Sequence, residues 1–143
     1  MRAKKINELR LTLPALSVNE AVARALVGAF CAQLNPTLEE IADLKCAVSE
    51  AVTNCIVHGY REAGGPIYIS IALFEDRSIT VTIRDRGCGI PDVSLARQPL
   101  YTTNTDGERS GMGFSVMETF TDRLTVRSRV GSGTGVIMKK RLS

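Results

Sequence analysis

Tryptophan is absent from this 143-residue sequence, aromatic residues make up 5% of it, and histidine occurs once. So few rings exclude a wide aromatic platform for stacking bases. The 18 Lys and Arg stand against 15 Asp and Glu, a formal net charge of +3, and they are scattered along the chain without forming a stripe. That balance argues against direct binding of nucleic acid. No run approaches the ~20 apolar residues of a membrane span. Met1 to Arg10 is charged and lacks the apolar core of a secretory signal, so a cytoplasmic protein without a membrane anchor is expected. The four cysteines, Cys31, Cys46, Cys55 and Cys88, include no C-x-x-C pair, and with His58 as the single histidine they form no zinc-ligand set. They are expected to be reduced packing thiols.

What is present is an ordinary globular composition, 44% hydrophobic and 23% charged, with the length of one domain spanning residues 1–143. Leu9, Leu11 and Leu13 alternate with Arg10 and Thr12, which is strand periodicity ended by Pro14. Ser17 followed by Glu20, and Thr37 followed by Glu40, have the spacing of capping boxes, each opening a helix. The first helix carries Val18, Val22, Ala25, Leu26, Ala29 and Phe30 at helical spacing, and the second carries Leu38, Ile41, Leu44, Val48, Val52 and Ile56. Gly59 is its expected stop. Ile67 to Phe74 and Ile79 to Ile83 are β-branched runs joined by Glu75-Asp76-Arg77-Ser78, a hairpin. Residues 91–111 lose periodicity and read as a long functional loop. A helix over Met112 to Phe120 follows, then strands Leu124 to Arg129 and Gly135 to Lys140 around the turn Gly131-Ser132-Gly133. Hairpin-joined strands with helices grouped apart predict an α+β two-layer sandwich, a mostly antiparallel mixed sheet with helices on one face.

Four short motifs are candidates for chemistry. Glu50, Asn54 and His58 share a helix face at i, i+4 and i+8, turned away from the apolar stripe. A carboxamide oxygen there suits Mg²⁺, and a neighbouring carboxylate suits a general base. The same residues equally fit a solvated helix face. Asp85-Arg86-Gly87-Cys88-Gly89 follows a strand. Its Asp can accept a hydrogen bond from an exocyclic amine such as adenine N6, and its glycines let backbone approach a planar ring, although a simple turn has this composition too. Ser110-Gly111-Met112-Gly113 ends the long loop at a helix start, where exposed N–H groups can cradle phosphate or the glycines can simply act as a hinge. Gly133-Thr134-Gly135 opens the last strand, with Thr134 placed to support Asp85. His58 lies at a helix C-terminus, where charge–dipole attraction accounts for it better than a phosphoacceptor role.

In this order and spacing, over essentially the whole chain, the motifs resemble the GHKL superfamily of ATPases and kinases, which includes histidine kinases and Hsp90. The N box lies at Glu50 to Asn54, the G1 box at Asp85 to Gly89 and the G2 box at Gly111 to Gly113. Ser49-Glu50-Ala51-Val52-Thr53-Asn54 with His58-Gly59-Tyr60, Ile83-Arg84-Asp85-Arg86-Gly87, Ala96-Arg97-Gln98-Pro99-Leu100 with Thr102-Thr103, and Glu108-Arg109-Ser110-Gly111-Met112-Gly113-Phe114 are similar to the anti-sigma-factor serine kinase branch. The resemblance implies a Bergerat-type fold binding ATP and Mg²⁺ under a lid over 91–111. It implies Glu50 as general base, Asn54 as the Mg²⁺ ligand, Asp85 with Thr134 on adenine, and Arg109 on the γ-phosphate. Gly87, Gly89, Thr102, Thr103, Ser110, Gly111, Met112 and Gly113 would line the nucleotide. It also implies a homodimer that inhibits a sporulation sigma factor, uses Arg24 on its partner surface, and phosphorylates a serine of an anti-anti-sigma protein. Cys88 departs from the family, which more usually places an apolar residue between the G1 glycines.

Overall fold

The computed structural model describes residues 2–98 and 113–143. The strands are β1 (Lys5–Pro14), β2 (Pro66–Phe74), β3 (Ser78–Arg84), β4 (Arg123–Arg129) and β5 (Gly133–Arg141). The helices are α1 (Val18–Cys31), α2 (Leu38–Asn54), α3 (Val93–Ala96) and α4 (Gly113–Phe120). A single π-helical turn, Cys55–Gly59, extends α2. The strands form one sheet in the order β1-β2-β3-β5-β4, and every pairing in it is antiparallel.

Strand alternation divides the sheet into two faces. Ile67, Ile69, Ile71 and Leu73 of β2, Ile79, Val81 and Ile83 of β3, and Val136 and Met138 of β5 are buried. They meet Leu44, Ala47, Val48, Ala51 and Val52 of α2, Ala23, Val27 and Cys31 of α1, and Phe114 and Met117 of α4 in one core. The expected two-layer α+β sandwich is present, with α2 at its centre, packed against both α1 and α4. The strand expected over Leu9 to Leu13 runs longer, from Lys5 to Pro14. The short helix α3 lies inside the stretch read as an aperiodic loop, held at its start by Asp92 Oδ1 accepting from Leu95 N at 3.0 Å.

Three expectations are corrected. Thr37 and Glu40 form a reciprocal capping box, with Thr37 N to Glu40 Oε1 at 2.9 Å and Glu40 N to Thr37 Oγ1 at 3.1 Å. Ser17 and Glu20 do not, because Ser17 is already helical in backbone conformation and its side chain caps nothing. The Glu20 carboxylate instead accepts from Ser49 Oγ of α2 and pairs with Arg24 at 3.2 Å. Second, α1 is rotated relative to its expected stripe. It buries Ala23, Val27 and Cys31, while Val18 is 71% and Val22 41% exposed. The Ala23, Val27, Cys31 face packs into the core, and Val18 and Val22 are left outside. In α2, Leu38 is likewise exposed, since it precedes the packed turns. Third, Cys46 is exposed and so is not a packing thiol.

The two cap sites give a paired prediction. Thr37→Ala lowers stability by about 1 kcal/mol through loss of a formed cap, whereas Ser17→Ala stays within about 0.5 kcal/mol. Urea denaturation of both variants measures the difference; equal losses would contradict the cap geometry.

Candidate functional site

The site begins where β3 ends. Asp85 is the next residue, and it is only 7% exposed. Its Oδ1 accepts from Gly87 N at 2.8 Å and from Thr134 N at 3.2 Å, and the Cys55 thiol donates to the same carboxylate. Burial raises the Asp85 pKa above its ordinary value, and these three donors oppose that shift. Cys55 is held well above the usual thiol range by burial first and the Asp85 charge second. It therefore stays a protonated donor, a polar role that the packing expectation for this cysteine did not include.

The carboxylate sits where backbones nearly touch. A Cβ on Gly59 would lie 2.6 Å from Asp85 Oδ2, and one on Gly87 would lie 2.1 Å from the Gly59 carbonyl oxygen. Both positions therefore require glycine. Gly89 has φ +77°, the left-handed region, and a Cβ there would meet the Arg129 carbonyl at 2.2 Å. The loop is further tied by Cys88 N to Gly59 O at 2.8 Å and by Cys88 Sγ to His58 O at 3.2 Å. Tyr60 Oη donates to Pro66 O at 2.6 Å and accepts from Arg86 N at 2.7 Å. Thr134 supports Asp85 through its backbone N–H. Its hydroxyl lies 2.8 Å from Ser128 Oγ, which in turn accepts from Ile90 N at 2.7 Å.

Beside Asp85 opens a cavity between α2, β3, β5 and α4. Asn54, Asp85, Gly89, Gly113 and Thr134 all border it. Asn54 reaches the start of α4, since a Cβ on Gly113 would lie 3.1 Å from its side-chain amide. Ile83, Ile90 and Val136 supply apolar wall, and Ala51, Cys55, His58 and Phe114 complete the side toward the helices. The arrangement offers a mainly apolar cavity bordered by one carboxylate acceptor and by a carboxamide near a helix start. Those features suit a planar amine-bearing ring joined to an anionic tail.

Gly87 stands behind the wall and acts on the cavity through Asp85. Glu50 is one turn before Asn54 on α2, half-buried, and does not border the cavity among the described residues. Arg24 is exposed on α1, away from the cavity. Arg109, Thr102, Thr103, Ser110, Gly111 and Met112 lie outside the described residues. Residues that sequence reasoning passed over include Cys55, Gly59 and Ser128. The signal for Ser128 was a polar residue at an inward strand position, following Leu124 and Val126.

A family model described as histidine kinase-like ATPase domain matches residues 13–140. Over 137 residues the chain is 51% identical to the anti-sigma F factor of Clostridium acetobutylicum, covering 96% of this chain and 95% of that one. The anti-sigma F factor of Bacillus licheniformis is also 51% identical, over 138 residues, covering 96% and 94%. Among solved structures, one containing the RsbU and RsbW domains of a Mycobacterium tuberculosis protein superposes with a TM-score of 0.68 at 22% identity, covering 96% of this chain and 32% of that one. The catalytic domain of the histidine kinase ThkA gives a TM-score of 0.58 at 16% identity, covering 96% and 97%. These superpositions support the fold.

Two outcomes follow for nucleotide binding. Asp85→Asn replaces a charged acceptor with a neutral amide and weakens ATP binding by roughly ten- to a hundredfold, read by titration calorimetry; unchanged affinity would remove Asp85 from the site. Asp85 has a folded-state pKa above 3.8. The folded state thus holds this proton more tightly than the unfolded chain, so the associated stability is present at low pH and lost as pH rises through the folded value. Binding of adenosine runs the opposite way, since protonation of Asp85 removes the acceptor, and the part of its loss on acidification that Asp85→Asn abolishes is expected above the ordinary carboxylate range. The same acid profile in the wild-type chain and in Asp85→Asn would contradict the buried acceptor.

Proposed function

The chain belongs to the histidine kinase-like ATPase family, and from that membership we propose that it is an anti-sigma factor with protein serine kinase activity. It holds a sporulation sigma factor inactive and, with Mg-ATP, transfers the γ-phosphoryl group to a serine of an anti-anti-sigma protein. The observation that carries this reading is its likeness to anti-sigma F factors along nearly the whole chain, together with a cavity that joins Asn54, Asp85 and the start of α4.

In this reading Asp85 accepts from adenine N6, with Thr134 and Gly87 holding the carboxylate and Gly89 keeping the loop close to the ring. Asn54 binds Mg²⁺ beside the phosphates, an oxygen ligand of the kind that ion takes while it retains water. Gly111 and Gly113, with Ser110 and Met112, bind the phosphates, and Thr102 and Thr103 belong to the lid. Glu50 takes the proton of the attacking seryl hydroxyl. Arg109 meets the γ-phosphate, where a guanidinium fork pairs with phosphate oxygens and offsets charge developing during transfer. The seryl O–P bond forms as the bond to the β,γ-bridging oxygen breaks, and ADP leaves.

Partner binding and dimerisation rest on the other end of the helical layer. Leu16 is 55% exposed, Val18 71% and Val22 41%, next to Arg24 and beside β1, an edge strand. Exposed apolar side chains contiguous with an unpaired strand edge favour a second copy of the chain.

The test of function is incubation of the chain with Mg-ATP and the anti-anti-sigma protein, followed by mapping of the product. Acid-stable phosphoserine is expected. Acid-labile phosphate would instead assign a histidine kinase, and no transfer would leave an ATP-dependent binding module. Glu50→Gln is expected to slow transfer by about a hundredfold or more while ATP affinity is kept. Val18→Asp with Val22→Asp is expected to give a monomer by sedimentation; an unchanged dimer would move the contact elsewhere.

A further inference from the structure

The basic residues that look scattered in the sequence are gathered by the fold. The helices cover one face of the sheet, and the other face is open among the described residues. Strand alternation puts Arg10 of β1, Arg84 of β3, Lys139 of β5 and Arg123 and Arg127 of β4 on that open face, all of them exposed. The carboxylate that shares it, Glu8, is already engaged by Lys5 at 2.6 Å and Arg10 at 2.9 Å. The helical layer, in contrast, holds Glu20 in α1 and Glu39, Glu40, Asp43 and Glu50 in α2. A chain of net charge +3 is thus strongly polarised across its sheet.

The pattern within this face is specific. The cross-strand row Tyr68, Arg84, Gly135, Arg127 places two guanidinium groups on either side of a residue with no side chain. With strands about 4.8 Å apart, the two arginine Cα atoms are roughly 10 Å from each other, and the Arg84 stem lies over Gly135, where a Cβ would come within 3.2 Å of Arg84 Cγ. Arg84 and Arg86 both stack on Tyr68, at 5.3 and 5.0 Å from its ring centre. Cation–π contact holds both guanidinium groups against one ring. Thr12, Ser70 and Thr82 line a shallow depression between Arg10 and Arg84 and add hydroxyl groups.

We propose that this open sheet face, centred on Arg84, Gly135 and Arg127, is a docking surface for an acidic protein segment. It is separate from the nucleotide cavity, which opens on the helical side. Charge complementarity identifies the partner: a face of exposed guanidinium groups, with Arg84 and Arg86 held on Tyr68, suits carboxylates, which guanidinium forks pair bidentately. Single-stranded nucleic acid on a sheet relies on free aromatic faces, and the Tyr68 ring is occupied by two guanidinium groups. A membrane surface would need apolar side chains to insert, and the exposed positions here are charged or hydroxylic.

The test uses the full chain and two labelled probes of matched charge, an oligoglutamate peptide and an oligothymidylate, followed by fluorescence anisotropy at low and physiological salt. The peptide is expected to bind at least as tightly as the oligonucleotide and more weakly as salt rises. The double variant Arg84→Glu, Arg127→Glu is expected to lose about tenfold or more in peptide affinity, with ATP affinity unchanged. Arg84→Gln, Arg127→Gln should fall between the two. No peptide binding, equal binding by the charge-reversed chain, or tighter binding of the oligonucleotide would each overturn the proposal.

Discussion

A carboxylate that is almost wholly buried must be met by donors, or the fold would expel or neutralise it. Asp85 is such a group, and much of the local architecture is arranged around that requirement. Gly87 N, Thr134 N and the Cys55 thiol reach its oxygens. To bring three donors from three segments to one carboxyl, the backbones must pass closer than side chains allow. Gly59 and Gly87 are glycine for that reason. The π turn at Cys55–Gly59 ends α2 so that the Gly59 carbonyl accepts from Cys88. The N-box helix and the G1 loop are therefore mechanically one unit. A ligand that meets the free side of Asp85 also meets Asn54 and the start of α4 in the same cavity.

The sheet serves both ends of this arrangement. Antiparallel pairing of β3 with β5 sets Arg84 opposite Gly135, and the next step places Asp85 N on Thr134 O at 2.9 Å. The ladder that builds the core thus delivers the acceptor and its support in register. Period-two alternation also sends apolar residues inward and basic residues outward. The cavity beside Asp85 and the basic face are consequences of one strand register, read on opposite sides.

Much of this was legible in the sequence where local rules are strong. Thr37 and Glu40 predicted a helix start and formed it. The alternation in β2 and β3, and the stripe Leu44, Val48, Val52, identified the core. Asp85, Asn54, Gly89 and Gly113, singled out for their joint spacing, border one cavity. The misses have physical causes. Ser17 and Glu20 satisfy a capping pattern, but Glu20 found Ser49 across the helix pair, a tertiary partner that spacing alone does not show, and Arg24 one turn along its own helix. The face of α1 was misplaced because apolar residues occupy several of its faces, and packing on α2 selected the Ala23, Val27, Cys31 face over that of Val18 and Val22. Cys55 looked like a small hydrophobe since its polar partner lies thirty positions away in sequence. The basic face was invisible because its members come from four strands.

The most direct measurement is a crystal structure of the chain with Mg²⁺ and a non-hydrolysable ATP analogue. The adenine amine is expected within hydrogen-bonding distance of the Asp85 carboxylate, the metal on the Asn54 amide oxygen, and the phosphates at the head of α4. A nucleotide bound elsewhere, or bound with Asp85 facing a group other than adenine, would contradict the assignment of this cavity.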